Sequence, residues 1–92
     1  MSKFSIDKHP DDVLNDIAQK HKKLRKQFKL TQNELATRTG ISLGSIKRFE
    51  QTGEISLHSL LHLAHFFDRL ADFDNVFYID EQMERVRKLF SK

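Results

Sequence analysis

The stretch TQNELATRTGISLGSIKRFE, Thr31 to Glu50, decides the reading of the chain. It opens on a capping signature. The Thr31 hydroxyl can accept from the amide of Glu34, and the Glu34 carboxylate can reach back to the amide of Thr31. The helix so started is stopped by Gly40, a residue suited to the left-handed backbone that ends helices. Ser42 can then cap a further short helix, which runs to about Gln51 and carries Lys47 and Arg48 side by side. Two helices joined so tightly pack on each other. Paired basic residues on the second imply that one of its faces serves something other than the core.

The flanks are helical too. A long helix begins at Pro10, which suits the first helical position, with Asp11 and Asp12 where the helix dipole favours negative charge. Leu14, Ile17, His21, Leu24 and Phe28 recur at spacings of three and four, one apolar stripe over about five turns. His21 on that stripe reads as a packed histidine, because no metal-binding neighbour accompanies it in sequence. Beyond the opening stretch, Ser56 can cap a fourth helix whose expected core face is Leu57, Leu60, Leu61, Ala64 and Phe67. A short fifth helix is expected near Leu70–Phe77, and a last amphipathic segment from Asp80 to Phe90 with Met83, Val86 and Phe90 on one side. Residues 1–9 read as a flexible arm.

Composition agrees with an all-α chain. Ninety-two residues make one domain, and 38% apolar residues, eight of them Phe, suffice for a small helical core. One Pro and three Gly favour helices over turn-rich β architectures. With no Cys there is no disulfide framework and no thiolate metal site. The polar start lacks the apolar region of a signal peptide, and no apolar run approaches the ~18 residues of a membrane span, so a cytoplasmic protein without membrane partner is the expectation.

The net charge of +3 is unevenly spread. Between Lys20 and Gly53 stand nine Lys/Arg and two acids, a surplus of +7, whereas the remaining seven basic and eleven acidic residues give −4. A basic centre with acidic ends points to a polyanionic partner, against the plainer reading of a lysine-rich solvated face.

On Gln32, Leu35, Ala36, Gly40, Ile41, Ile46 and Phe49, the segment resembles the helix-turn-helix of the Cro/phage-repressor-like (XRE) DNA-binding family. The likeness extends from about Leu24 into SLHSLLHLAHFF and on to Phe77. Each matching position has a physical reason. Ala36 is small where the helices cross, Gly40 turns without a Cβ penalty, and Leu35, Ile41, Ile46 and Phe49 fill the space between helices. The resemblance implies a five-helix, all-α Cro/repressor-like domain over 10–78, extended by a short helical segment over 79–92.

It also implies a mechanism. The second helix of such a motif enters the major groove of double-stranded DNA while the first crosses the backbone. Carried over by position, the base-reading face is Leu43, Gly44, Ser45 and Arg48. Arg48 can bond guanine O6 and N7 together, and Leu43 can meet a thymine methyl. Phosphate contacts are expected from Thr31, Gln32, Lys47, Lys23, Lys26 and His58. Gly44 brings the backbone near DNA or relieves crowding. Arg25 and Glu50 occupy positions that in some relatives form an ion pair between the first and third helices, expected here as a half-exposed tie. The sequence departs from the pattern in three places. Leu43 and Gly44 replace adenine-reading glutamines, Lys29 sits where Gly is frequent, and the loop QTGEIS is not basic.

Three further readings complete the expectation. His58, His62 and His65 have a spacing that zinc or nickel could use, but they lie opposite the leucine stripe and read as an exposed polar face, so neither metal nor cofactor is expected. No phosphate loop, nucleophile elbow or paired carboxylates suggest an enzyme. The family holds free-standing repressors that act as dimers on palindromes, and antitoxins that bind their operator and neutralise a HipA-like kinase toxin. The first reading is preferred and the second is its alternative. In either, Phe73, Val76, Phe77, Met83, Val86 and Phe90 are the candidate surface for a homodimer or a toxin.

Overall fold

The computed structural model describes residues 8–90, so the expected arm over 1–9 lies outside it except for Lys8 and His9. Five α-helices follow in order: α1 Pro10–Gln27, α2 Gln32–Thr39, α3 Leu43–Thr52, α4 Leu57–Phe66 and α5 Glu81–Phe90, with a 3-10 turn at Leu70–Phe73 between the last two. No strand occurs among the described residues. The fold is the all-α arrangement expected.

Local chemistry sets the helix ends. The Asp12 carboxylate accepts from the His9 amide (3.1 Å), and Arg25 and Lys26 stand in the last turn of α1, where the dipole favours cations. Thr31 and Glu34 form the reciprocal capping box at α2, with N···O distances of 3.0 and 2.8 Å. Ser42 and Ser56 cap α3 and α4. Gly40 ends α2 at φ 79°. Lys29, where relatives often have Gly, indeed sits at φ 57°, a conformation that costs a side-chain-bearing residue about 1–2 kcal/mol.

Helix α3 lies across α1 and α2, and its inward residues Ile46 and Phe49 are essentially inaccessible. Ala18 of α1, Leu35 of α2, and Leu63 and Phe67 at α4 close the core around them. Complete burial of side chains this size stabilises by about 1.5–3 kcal/mol each. A second glycine, Gly53, ends α3 at φ 85°, and a Cβ there would stand 2.8 Å from the Leu14 Cβ. The end of α3 and the start of α1 therefore approach closer than any side chain permits.

Two sequence expectations need correction, and a third holds in part: of the apolar stripe on α1, Ile17, His21 and Leu24 face the core, whereas Leu14 and Phe28 are 37% and 52% exposed. The core face of α4 is Leu60, Leu63, Ala64 and Phe67, whereas Leu57 is 66% exposed. A helix puts i, i+3, i+4 and i+7 on one side, and Leu63 rather than Leu57 completes that set once Phe67 is inside. The element at Leu70–Phe77 is a single 3-10 turn, after which the chain leaves through Phe77 at φ 57°. The C-terminal apolar residues lie outside the core. Val76, Phe77, Met83, Val86 and Phe90 are all exposed, Phe77 at 96%, and α5 has no buried residue. Only Phe73 is partly covered.

Candidate nucleic-acid interface

The candidate reading surface is the outer side of α3. Because Ile46, Phe49 and Glu50 turn inward, the helical period leaves Gly44, Ser45, Lys47 and Arg48 exposed and Leu43 half-buried at the edge. The Ser42 hydroxyl both caps the helix through the Ser45 amide (3.1 Å) and donates to the Ser45 hydroxyl (2.8 Å). Ser45 thus keeps its own O–H for a base or phosphate. Around Gly44 no atom lies within 4 Å of a built Cβ, so crowding inside the fold does not explain the glycine.

Arg48 is not free. Its Nε donates to Glu54 Oε1 at 2.9 Å, and Nη2 bonds the same oxygen. Both side chains are more than half exposed, so water screens the pair and it is a weak tie. Sequence reading missed Glu54. The available signal was an acid just past the glycine that ends α3, where the chain turns back beside the last turn.

The orientation of α3 is held from beneath by a buried cluster. Arg25 Nε and Nη2 donate to the two oxygens of Glu50 at 2.9 and 2.8 Å, while Nη1 donates to the Leu30 carbonyl at 2.8 Å. Gln32 Nε2 adds a bond to Glu50 Oε1 at 3.0 Å, and His21 Nδ1 lies 2.8 Å from Oε2. An ionised carboxylate only accepts, so the His21 Nδ1 carries the proton. The imidazole packs tilted against Phe49 and edge-on to Phe67, with centroids 5.0 and 5.7 Å away, and its Nε2 is buried without a partner. The side chains of Arg25 and Glu50 are only 8% and 3% exposed, which corrects the half-exposed tie expected from sequence. Burial alone would raise the Glu50 pKa. The hydrogen bonds from His21, Arg25 and Gln32, with the Arg25 charge, outweigh it and hold the carboxyl at about 2. The cluster joins α1, α2 and α3, and because Arg25 and Glu50 cancel, the basic surplus of the segment stays on its surface.

The other candidate residues are spread around this face. At the start of α2, Gln32 is already engaged with Glu50, and the capping box consumes the Thr31 and Glu34 amides. Helix geometry leaves the Gln32 and Asn33 amides without an intrahelical acceptor, a ready anion cradle. The box also lowers the Glu34 pKa, through the Thr31 amide and then its hydroxyl. Lys26 and Lys47 are exposed. Lys23 lines a groove between α1 and α4 together with Leu60 and Phe67, apart from the Thr31–Gln32 end. His58 is exposed in the first turn of α4 and stacks on His62, whose Nε2 donates to the Thr39 carbonyl at 3.1 Å and so clasps α4 to the end of α2. Among the described residues no group of three or more His, Cys, Asp or Glu is placed to hold a metal ion, and no helix is long and apolar enough to cross a membrane.

A family model described as helix-turn-helix matches residues 22–73, more than half of the chain. No curated protein and no solved structure matches it.

Proposed function

The chain belongs to the Cro/C1-type (XRE) helix-turn-helix family of DNA-binding regulators, and from that premise we propose that it represses transcription as a dimer on a palindromic operator, with α3 in the major groove. The observation that carries this reading is the split of α3. Ile46, Phe49 and Glu50 are locked inward while Ser45, Lys47 and Arg48 stand outward beside half-buried Leu43. That arrangement keeps the reading residues out of the core, with Arg48 held only by its exposed pair with Glu54. Arg48 takes guanine O6 and N7, Ser45 a base or phosphate, and Leu43 a thymine methyl. The exposed Gly44 lets the backbone come close. Lys47, Lys26, His58 and the start of α2 at Thr31 and Gln32 take phosphates. Lys23, on the groove side of α1, contributes at longer range.

So few base-reading side chains give one copy little specificity. Two copies related by a two-fold axis set their reading helices about 34 Å apart, one DNA turn, and double the sequence read. The exposed apolar residues of the C-terminal third, Val76, Phe77, Met83, Val86 and Phe90, supply the dimer contact in this reading, with Phe73 at its edge. In the antitoxin alternative a HipA-like toxin would engage the same surface. The two readings part on whether the chain alone is a dimer at micromolar concentration.

The decisive experiment is titration of duplex DNA across salt concentrations, with sedimentation of the free protein. Phosphate neutralisation releases counterions, so the logarithm of affinity should fall linearly with the logarithm of salt, by roughly 0.9 per phosphate neutralised. Affinity unchanged between low and high salt would refute the assignment of the basic surface to phosphate.

A further inference from the structure

The dimer reading above leaves open where α5 goes, and we infer that α5 of one copy seats antiparallel along α1 of a second copy, which returns its own α5 to the first. The inference rests on that reading and adds the surface and its direction. The receiving surface is the open groove between α1 and the α4 end of the domain. Its floor is apolar, with Ile17, Leu24, Leu63, Phe67 and Phe73, and its rim carries Lys20, Lys23 and Arg69 beside Asp72.

The two helices match in spacing. Ile17, Lys20 and Leu24 line the groove from α1, and Val13, one turn earlier on the same helical face, extends their row, with steps of four, three and four. Ile79, Met83, Val86 and Phe90 repeat those steps along α5 and just before it, all exposed. Rows with equal steps bring side chains into register over about 15 Å, the length of a ten-residue helix. Lys20 fits such a row because its aliphatic stem packs while its ammonium reaches water.

The steps read the same in both directions, so charge decides the orientation. Helix α1 is acidic at its start (Asp11, Asp12, Asp16) and basic later (Lys20, Lys22, Lys23). The α5 segment has the same order, Asp80, Glu81 and Glu84 before Arg85, Arg87 and Lys88. Parallel packing would set like against like, and antiparallel packing sets each end against its opposite. The present partners of these groups, Asp16 for Lys20 and Glu84 for Arg87, are exposed neighbours on the same helix, and such pairs are cheap to exchange. A chain that holds both an open groove and an unburied helix fitting it is self-complementary. Reciprocal exchange under a two-fold axis fills both grooves at once.

The absence of cysteine makes this testable by cross-linking. Antiparallel register sets Lys20 opposite Met83, both exposed, so neither substitution disturbs the core. Lys20→Cys protein is mixed with Met83→Cys protein under mild oxidation, after circular dichroism has shown unchanged helix content in each. The expected result is a mixed disulfide dimer in at least ten-fold excess over that from a Val13→Cys and Ile79→Cys mixture, a pair only the parallel register joins. Preferential bridging of the Val13/Ile79 pair would overturn the orientation. A monomeric internal disulfide in the doubly substituted Lys20→Cys/Met83→Cys chain, with no mixed dimer, would show that α5 folds back on its own copy and overturn the exchange. No preferential bridge at all, in a chain that still sediments as a dimer and binds DNA, would overturn this seat alone and leave the dimer reading standing. A monomer would take both with it, leaving the groove to a different protein. Loss of duplex binding in a chain that cross-links as expected would reject the DNA reading and keep the interface.

Discussion

Replacing Glu50 should test how the reading helix is held, because this α3 carboxylate gathers donors from two other helices, α1 and α2. Its oxygens accept from Arg25 twice, from Gln32 and from His21, all within 3.0 Å. Glu50→Ala leaves the Arg25 guanidinium buried with only the Leu30 carbonyl as acceptor. Removing one member of a buried ion pair costs about 3–5 kcal/mol, against roughly 5–15 kcal/mol for a whole small domain. Glu50→Gln keeps the shape and should cost less. Urea unfolding followed by helical circular dichroism, in a double-mutant cycle with Arg25→Met, isolates the coupling, expected well above 1 kcal/mol. The carboxyl is depressed from 4.5 to about 2 in the folded chain. Its contribution is therefore complete above the unfolded value and is lost as pH falls from about 5 towards 2. At 1.36 kcal/mol per unit the shift corresponds to about 3 kcal/mol. Wild type should lose that stability across the window, and Glu50→Gln should show a flatter profile there. Coupling below about 0.5 kcal/mol, typical of exposed pairs, with identical acid profiles, would refute the buried cluster as the tie.

The remaining predictions concern single positions. Arg48→Ala should cost about 1–3 kcal/mol on the operator and flatten preference at one base pair in a binding-site selection, whereas Lys26→Ala should weaken all sequences alike. Equal loss on specific and random duplexes would move Arg48 to the phosphate contacts. Gly44→Ala has open space around the new methyl, so thermal stability should rise by roughly 0.5–1 kcal/mol while operator affinity drops where the backbone nears DNA. Unchanged affinity would remove the close approach. Gly53→Ala should destabilise by more than Gly40→Ala in denaturant unfolding, since both have positive φ but only Gly53 abuts Leu14. Equal losses would show that α1 yields at that contact.

Much of the molecule is written locally. The capping box at Thr31, the caps at Ser42 and Ser56, Pro10 and the left-handed Gly40 act through bonds within three or four residues of one another, and a chain reader can see that distance. The apolar period of α3 was legible for the same reason, and that of α1 in part: Ile17, His21 and Leu24 face the core, but Leu14 and Phe28 are exposed while Ala18 and Arg25 are buried. Which members of a long apolar run go inside was not. On α4 the run Leu57 to Phe67 offers more than one inward set, and Leu63 rather than Leu57 is chosen by the core that the other helices have already formed. The partner of Arg25 was legible only through family resemblance, and its depth, with His21 and Gln32 joining from other helices, follows from packing across 18 to 29 residues of chain. Glu54 became part of the candidate site because Gly53 folds the loop back on α3. The apolar C-terminal residues were visible as a surplus, but only the tertiary structure showed that the core was already full and left them in water. Burial is decided by the sum of all neighbours in space, and no local pattern in the chain carries that sum.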